Sequence, residues 1–309
     1  MKTVLAALLL AAVASAEDVK LQTLSGAIHG TLLLPPAETP VPVVLLIAGS
    51  GPTDRNGNVT GLPGPNDSLK MLAEGLATNG IASLRYDKRG IGASAAAGPK
   101  EEDLRFDTYV SDAAAWVQQL RNDTRFSTIV VAGHSEGSLI GTIAARKADA
   151  FVSIAGTARP AGTIIREQLS TKLPSDLLKE SERIVAALER GSTAENVPAP
   201  LEMLYRASVQ PYMISWMKYD PSREVAQLAV PVLIVQGTTD LQVPVADAHA
   251  LKKANPKADV AIIDGMNHVL KKVEGDIGQQ FPSYSDPKLP VAPELIERVS
   301  AFVKRAAKT

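Results

Sequence analysis

Six short, almost wholly apolar runs constrain the fold of this chain more than any other feature. Their sequences are VPVVLLIAG, IASLRYD, STIVVAGHS, AFVSIAG, VPVLIVQG and ADVAIIDG. Runs without polar alternation suit strands that are buried on both faces, as in a parallel sheet. Helical patterns lie between them, at residues 67–79, 107–121, 136–148, 244–254 and 293–306. The alternation predicts an α/β fold in which helices flank both faces of a mostly parallel sheet.

Two segments depart from this alternation. VKLQTLSGAIHGTLLLP reads as two strands with a turn at Ser25-Gly26, and it predicts a leading hairpin. Between Ala158 and about Val225 no strand pattern occurs, but SDLLKESERIVAALERG has one apolar helical face, with Ser175 as a candidate N-terminal cap.

These departures divide the chain. We expect a helical cap at residues 158–228, inserted between two parts of one core domain at residues 17–157 and 229–309. Ligand sites in open parallel sheets lie beyond the carboxyl ends of the strands. The cap would therefore sit over the site.

The first sixteen residues have the pattern of a secretory signal peptide. Lys2 precedes an apolar stretch at residues 4–13, and an A-x-A cleavage site ends at Ala16. The stretch is too short to span a bilayer, and a chain without cysteine cannot carry a cysteine-linked lipid anchor. We expect cleavage after Ala16 and a secreted or periplasmic protein. The alternative interpretation is a buried N-terminal helix.

The charge balance points to small-molecule partners. A formal net charge of -1 at pH 7 provides no attraction to nucleic acid or to an anionic lipid surface. We therefore expect neither a nucleic-acid partner nor stable membrane insertion. The sequence makes no prediction about the oligomeric state.

The strongest chemical motif follows the third apolar run. Gly133-His134-Ser135-Glu136-Gly137 matches G-x-S-x-G, with a predicted strand before it and a predicted helix after it. Side chains at Gly133 or Gly137 would collide with nearby backbone, and the sharp turn exposes Ser135 in a strained conformation. We predict that Ser135 is a nucleophile. The alternative is a glycine-rich turn with a solvated serine.

A serine nucleophile needs a base and an orienting carboxylate. Among the four histidines, His29 lies in a predicted strand, His134 inside the turn and His249 in a helical pattern. His268 follows the last apolar run, so we predict that it is the base. Asp240 follows the preceding run and gives the chain order serine, aspartate, histidine.

Two alternatives to this acid stay open. Asp240 could instead cap the next helix, and Asp264 could be the acid. Asp264 lies so close to His268 in the chain that shaping a turn is its more natural role.

An oxyanion hole requires two backbone N–H donors. Glu136, the residue after the nucleophile, supplies one through its amide. The loop IAGSGPTDRNGN should supply the other, at Ser50 in preference to Gly51.

With these motifs the chain resembles the α/β-hydrolase superfamily. Within it, the chain is similar to bacterial exported serine esterases that carry GSGPTDRNGN and YDKRGIGAS. The resemblance extends from about Leu21 to Lys304, and it is weakest in the cap. It implies a carboxylesterase-like enzyme without cofactor or metal that acts on small-molecule esters of short to medium acyl length through an acyl-enzyme. A peptidase or amidase, a thioesterase, and a non-catalytic binding protein on the same fold are the alternatives.

Two further motifs have structural interpretations. DRNGN is similar to a calcium loop, but its glycine is at the wrong offset and Pro65 replaces the bidentate glutamate. RGIGAS is similar to a dinucleotide fingerprint, but Gly98-Pro99 interrupts the required helix. We expect the charged run Asp87-Lys88-Arg89 to be a salt-bridged loop near the site.

The cap is rich in aromatic and thioether side chains. They suit either an apolar substrate pocket or the core of the cap itself. They are Met203, Tyr205, Tyr212, Met213, Trp216, Met217 and Tyr219.

Overall fold

An eight-stranded sheet forms the centre of the protein in the computed structural model, which describes residues 13–308. Its strand order is β1-β2-β4-β3-β5-β6-β7-β8, and the pairs from β4 through β8 are all parallel. The predicted mostly parallel α/β fold is confirmed. The strands are β1 (Ser15–Thr23), β2 (Gly26–Leu34), β3 (Val41–Ile47), β4 (Ala82–Tyr86), β5 (Phe126–His134), β6 (Ala150–Ile154), β7 (Val232–Gly237) and β8 (Asp259–Ile263).

Helices cover both faces of this sheet. One apolar core lies under α1 and α11, and a second lies under α2, α3, α8 and α9. The five helical patterns in the sequence correspond to α1, α2, α3, α9 and α11. The α-helices are α1 (Ser68–Thr78), α2 (Phe106–Arg121), α3 (Glu136–Ala144), α4 (Ala161–Ser170), α5 (Ser175–Glu189), α6 (Glu202–Tyr205), α7 (Gln210–Met217), α8 (Pro221–Ala226), α9 (Val245–Ala254), α10 (Ile277–Gln280) and α11 (Pro293–Ala306).

The leading hairpin is present, with β1 and β2 antiparallel. Strand β1 starts at Ser15, earlier than the sequence pattern indicated, and Ser15 pairs with Leu34. Most of the predicted signal peptide lies outside the described residues. Cleavage after Ala16 would remove only the first two residues of this edge strand.

Helices α4 to α8 occupy the segment between β6 and β7. Helices α4 to α7 share a third apolar cluster, to which Ile184, Tyr205 and Met213 belong. The prediction that Ser175 caps the N-terminus of this helix is wrong. Ser175 is instead the first residue of α5, Pro174 precedes it, and no side chain caps the helix. Because these helices follow the carboxyl end of β6, they lie beside the predicted site.

None of the helices between residues 13 and 308 combines the length and the apolar character that crossing a bilayer requires.

Candidate active site

Ser135 stands at the turn between β5 and α3, in a backbone conformation that non-glycine residues rarely adopt. Its φ is 55° and its ψ is -122°. Its N–H donates to the carbonyl of Ile154 on the adjacent strand, at 2.9 Å. The strained turn is thereby tied to the sheet, and the serine lines a cavity at the strand ends.

The two glycines of the motif are required by backbone contacts. A Cβ at Gly133 would lie 1.9 Å from the carbonyl oxygen of Gly137. A Cβ at Gly137 would lie 2.5 Å from the carbonyl oxygen of Ile47, at the end of β3. The turn therefore packs against itself and against the end of β3 at distances that no side chain permits.

His268 and Asp240 meet at the carboxyl ends of β8 and β7. His268 Nδ1 lies 2.9 Å from Asp240 Oδ2, and both side chains are buried. Because a carboxylate only accepts, Nδ1–H donates and Nε2 is left as the basic nitrogen. Asp264 instead accepts a hydrogen bond from Thr238 Oγ1 at 3.0 Å.

Both oxygens of the Asp240 carboxylate accept hydrogen bonds from other groups of the protein. Its Oδ1 accepts from the backbone N–H groups of Gln242 and Val243, at 2.8 and 2.9 Å. Burial alone would raise the pKa of Asp240. The charge and hydrogen bond of His268 and the two amides overcome this effect, and the net pKa is lowered. The group is therefore an anion at neutral pH.

Sequence reasoning missed Gln236. Its Nε2 donates to Asp240 Oδ2 at 3.0 Å and to the carbonyl of Val243 at 2.8 Å, and the residue is 1 % exposed. The available signal was a glutamine inside the otherwise apolar run VPVLIVQG. A buried amide on a strand indicates a specific hydrogen-bond partner.

His134 joins the turn to the base. Its Nε2 lies 2.8 Å from the carbonyl oxygen of His268. Burial, together with the nearby His268, lowers the pKa of His134 to about 3. His134 is therefore neutral near pH 7, and it is linked to His268 by a hydrogen bond rather than by charge.

The structure thus brings Ser135 to the same strand edge as the Asp240–His268 pair. The contact between His134 and His268 places the base next to the turn. Within residues 13–308, Ser135 Oγ makes no hydrogen bond. Nucleophile-to-base hydrogen bonds are often long in unliganded sites and tighten when substrate binds.

The sequence predicts the backbone N–H groups of Ser50 and Glu136 as the donors to an oxyanion. Glu136 is the first residue of α3, so its N–H has no partner in its own helix. Ser50 is exposed, lines the same cavity as Ser135, and follows Gly49. A Cβ at Gly49 would lie 3.3 Å from Ser135 Cβ, so the backbone before Ser50 passes beside the nucleophile.

Two cavities meet at Glu136. The smaller, of about 140 Å³, is lined by Ser135, Ser50 and Trp216 among others. The larger, of about 440 Å³, is lined by Leu104, Tyr109 and Tyr212 among others. Only the smaller cavity is lined by Ser135, and Glu136 lines both.

The aromatic and thioether side chains of the cap segment separate into two groups. Tyr205 and Met213 lie in the third apolar cluster, whereas Tyr212 and Trp216 line the two cavities. Met203 is 88 % exposed and belongs to neither group. Some of these residues therefore form the core of the cap segment, and others line cavities.

The charged run after β4 is paired throughout. Asp87 binds Arg55, Lys88 binds Glu136, and Arg89 binds Asp112. The expected salt-bridged loop is present beside the site. Across the part of the chain that the structure describes, no cluster of three or more histidine, cysteine or acidic side chains could hold a metal ion.

Comparisons with known proteins agree with this architecture. A family model described as serine aminopeptidase, S33, matches residues 59–204. Esterase EstD of Thermotoga maritima is 32% identical over 251 residues, which is 80% of this chain and 58% of that protein. The chain therefore spans less than two thirds of the length of that relative.

Solved structures share the fold over nearly the whole chain. Est1E from Butyrivibrio proteoclasticus matches with a TM-score of 0.62 and 19% identity, and covers 94% of this chain and 99% of its own. The Pyrococcus furiosus esterase Pf2001 matches with a TM-score of 0.58 and 18% identity, over 95% of this chain and 92% of its own. The chain has the α/β-hydrolase fold.

Proposed function

We propose that this chain, a member of the α/β-hydrolase superfamily, is a serine hydrolase that cleaves carboxylic esters of short to medium acyl length. One observation carries the proposal: a buried His268–Asp240 hydrogen bond of 2.9 Å next to a serine with a φ of 55°. The esterase names of the relatives favour an ester substrate.

The residues have complementary roles in this mechanism. Ser135 Oγ attacks the ester carbonyl while His268 Nε2 takes its proton, and Asp240 stabilises the resulting imidazolium. The N–H groups of Ser50 and Glu136 donate to the oxyanion. His268 then protonates the leaving alcohol, which departs as the carbonyl of the acyl-enzyme re-forms.

Deacylation repeats these steps with water. His268 Nε2 takes a proton from the water that attacks the acyl-enzyme, and returns it to Ser135 Oγ as the acid departs. The lone pair on Nε2 is available for both half-reactions because Nδ1–H is engaged by Asp240.

Hydrolysis of p-nitrophenyl acetate, butyrate, octanoate and palmitate tests the proposal. We expect activity on the shorter esters, and a fall of about three orders of magnitude or more in Ser135→Ala. Ser170→Ala, at an exposed serine of α4, is the matched control. Equal activity in wild type and Ser135→Ala would exclude the acyl-enzyme. If both are inactive on every ester, peptides and thioesters are tested next, and inactivity on those as well would favour a binding protein.

A serine aminopeptidase is the second candidate, because that description belongs to the matching family model. Such an enzyme needs an anion that binds the substrate ammonium group. The two carboxylates that line the cavities are already paired, Glu136 with Lys88 and Glu101 with Arg206. Aminoacyl p-nitroanilides in the same assay distinguish the two activities, and we expect the esters to be turned over faster.

We also propose that the protein is exported and cleaved after Ala16. N-terminal sequencing of protein recovered outside the cytoplasm would begin at Glu17. A first residue of Met1 in that material would overturn this proposal.

A further inference from the structure

Lys88 is a buried cation that the mechanism above does not use. Its side chain is 1% exposed and lies beside the nucleophile turn. Its Nζ donates to the carbonyl oxygen of Gly49 at 2.5 Å and to Glu136 Oε1 at 3.3 Å. The ring of Tyr109 lies 5.0 Å from the same ammonium. Lysine is seldom fully buried unless its donors are satisfied, and here they bind the loop after β3 and the first residue of α3.

The contact with Gly49 sets the direction of the next N–H. In a planar trans peptide the C=O of one residue and the N–H of the following residue point in opposite directions. Lys88 holds the Gly49 carbonyl on its own side, so the Ser50 N–H points to the other side. Ser50 lines the cavity that contains Ser135.

This peptide requires an outside contact to stay in place. Gly49 and Gly51 flank Ser50, and Gly51 has a φ of 67°. The Gly49–Ser50 peptide turns about the ψ angle of Gly49 and the φ angle of Ser50. Because glycine permits wide rotation at the first of these, a flip meets less backbone strain here than between two ordinary residues. The next carbonyl, of Ser50, is held separately by Thr53 Oγ1 at 2.7 Å.

Asp87, the neighbour of Lys88, binds a second point of the same loop, at Arg55. Its carboxylate accepts from the Arg55 backbone N–H and from the Arg55 guanidinium, both at 2.8 Å. Two consecutive residues after β4 therefore hold the loop after β3 at two points, Gly49 and Arg55. These contacts join the segments GSGPTDRNGN and YDKRGIGAS.

We propose that Lys88 is a positioning residue that orients the Gly49–Ser50 peptide so that the Ser50 N–H can donate to the oxyanion. The inference rests on the proposed function. Lys88 touches no reacting atom; it acts through the carbonyl of Gly49. A second role, neutralising Glu136, is separable from this one because it uses a different acceptor.

The experiment compares wild type, Lys88→Met, Glu136→Gln and the double variant. Lys252→Met is the matched control, since Lys252 Nζ also donates to backbone carbonyls, of Pro256 and Ala258, at the end of α9. For each protein we would measure kcat and KM on p-nitrophenyl butyrate, inhibition by butylboronic acid, and the melting temperature. The tetrahedral boronate on Ser135 places an oxygen where the oxyanion forms.

Lys88→Met should lower kcat by about 10²-fold, because an oxyanion donor is lost when its peptide is free to turn. KM should change by less than about threefold, and butylboronic acid should bind about 10²-fold more weakly. Lys252→Met should leave both values near those of wild type. The double variant should show the same 10²-fold loss relative to Glu136→Gln.

Two outcomes would overturn the inference. One is a Lys88→Met enzyme within twofold of wild type while Ser135→Ala is inactive, which leaves the proposed function intact. The other is a double variant as active as Glu136→Gln, which would limit Lys88 to charge neutralisation. If Lys88→Met does not fold, the Glu136→Gln comparison still decides, since removing both partners of a buried ion pair is better tolerated than removing one.

Discussion

The Nε2 nitrogen of His134 lies 2.8 Å from the backbone carbonyl oxygen of His268. A carbonyl oxygen only accepts, so His134 carries its proton on Nε2. The two rings lie 4.9 Å apart. The nucleophile turn and the loop of the base are therefore joined by a neutral histidine rather than by an ion pair.

The state of His134 makes the stability of the protein depend on pH. Burial lowers its folded-state pKa to about 3, whereas the ordinary pKa of histidine, as in an unfolded chain, is about 6.5. Below about pH 6.5 the unfolded state binds a proton at this histidine, whereas the folded state does not. The free energy of unfolding therefore decreases as the pH is lowered from 6.5, and it levels off near pH 3. This group alone should lower the free energy of unfolding by about 3 kcal/mol between pH 6.5 and pH 4.

Urea denaturation of His134→Gln across this range tests the assignment. Glutamine keeps a side-chain donor for the His268 carbonyl but does not titrate, so the variant should lose most of this pH dependence. His249→Gln, in α9, serves as the control and should keep the wild-type slope. Parallel pH profiles for wild type and His134→Gln would show that folding does not lower the pKa of His134.

Gln236 should matter for turnover more than for binding. Gln236→Leu removes the donor to Asp240 Oδ2, the oxygen that also accepts from His268. Loss of one hydrogen bond to a buried carboxylate costs about 1.5 kcal/mol, which corresponds to roughly a tenfold lower kcat. KM should stay within about twofold of wild type.

Steady-state kinetics on p-nitrophenyl butyrate, beside the exposed control Gln118→Leu, provide the measurement. An unchanged kcat in a folded Gln236→Leu enzyme would mean that the remaining three partners of Asp240 hold it in place without Gln236.

Much of this arrangement could be predicted because short motifs carry it. The apolar runs marked the six strands from β3 to β8, and the residues that follow β5, β7 and β8 include Ser135, Asp240 and His268. Since parallel strands end at one edge, chain order alone indicated that these three would meet.

The remaining features depend on contacts between distant segments. His134 and Lys88 looked structural or merely charged in the sequence, and their roles come from the carbonyl groups of His268 and Gly49. Every residue has a backbone carbonyl, so the sequence does not show which carbonyl a side chain will bind. Gln236 could be recognised as a polar residue in an apolar strand, but the sequence does not identify its partner.

The glycines of the turn should tolerate no side chain. In Gly133→Ala the new Cβ would lie 1.9 Å from the Gly137 carbonyl oxygen, and because the atoms that it meets are all backbone atoms, no side chain can rotate away to make room. We expect a loss of more than about 4 kcal/mol in the free energy of unfolding, or no soluble protein. Gly278→Ala, at an exposed position of α10, should change stability by less than about 0.5 kcal/mol. A Gly133→Ala protein that melts with wild type would contradict the packing of the turn.

The two cavities that Glu136 lines predict how the enzyme selects the acyl length of its substrate. The larger part, of about 440 Å³, has room for the longer substituent of an ester, and the part next to Ser135, of about 140 Å³, has room for the shorter one. Leu104 lines only the larger part. Leu104→Trp should fill that space and lower kcat/KM for p-nitrophenyl octanoate by about tenfold, since excluded methylene groups each forfeit about 0.8 kcal/mol of burial. Hydrolysis of p-nitrophenyl acetate should change by less than about twofold, because a two-carbon acyl group does not reach Leu104.

Ile164→Trp in the smaller part is the matched variant, and it should impair acetate and octanoate alike. Equal losses on both esters in Leu104→Trp would assign the acyl chain to the smaller cavity instead.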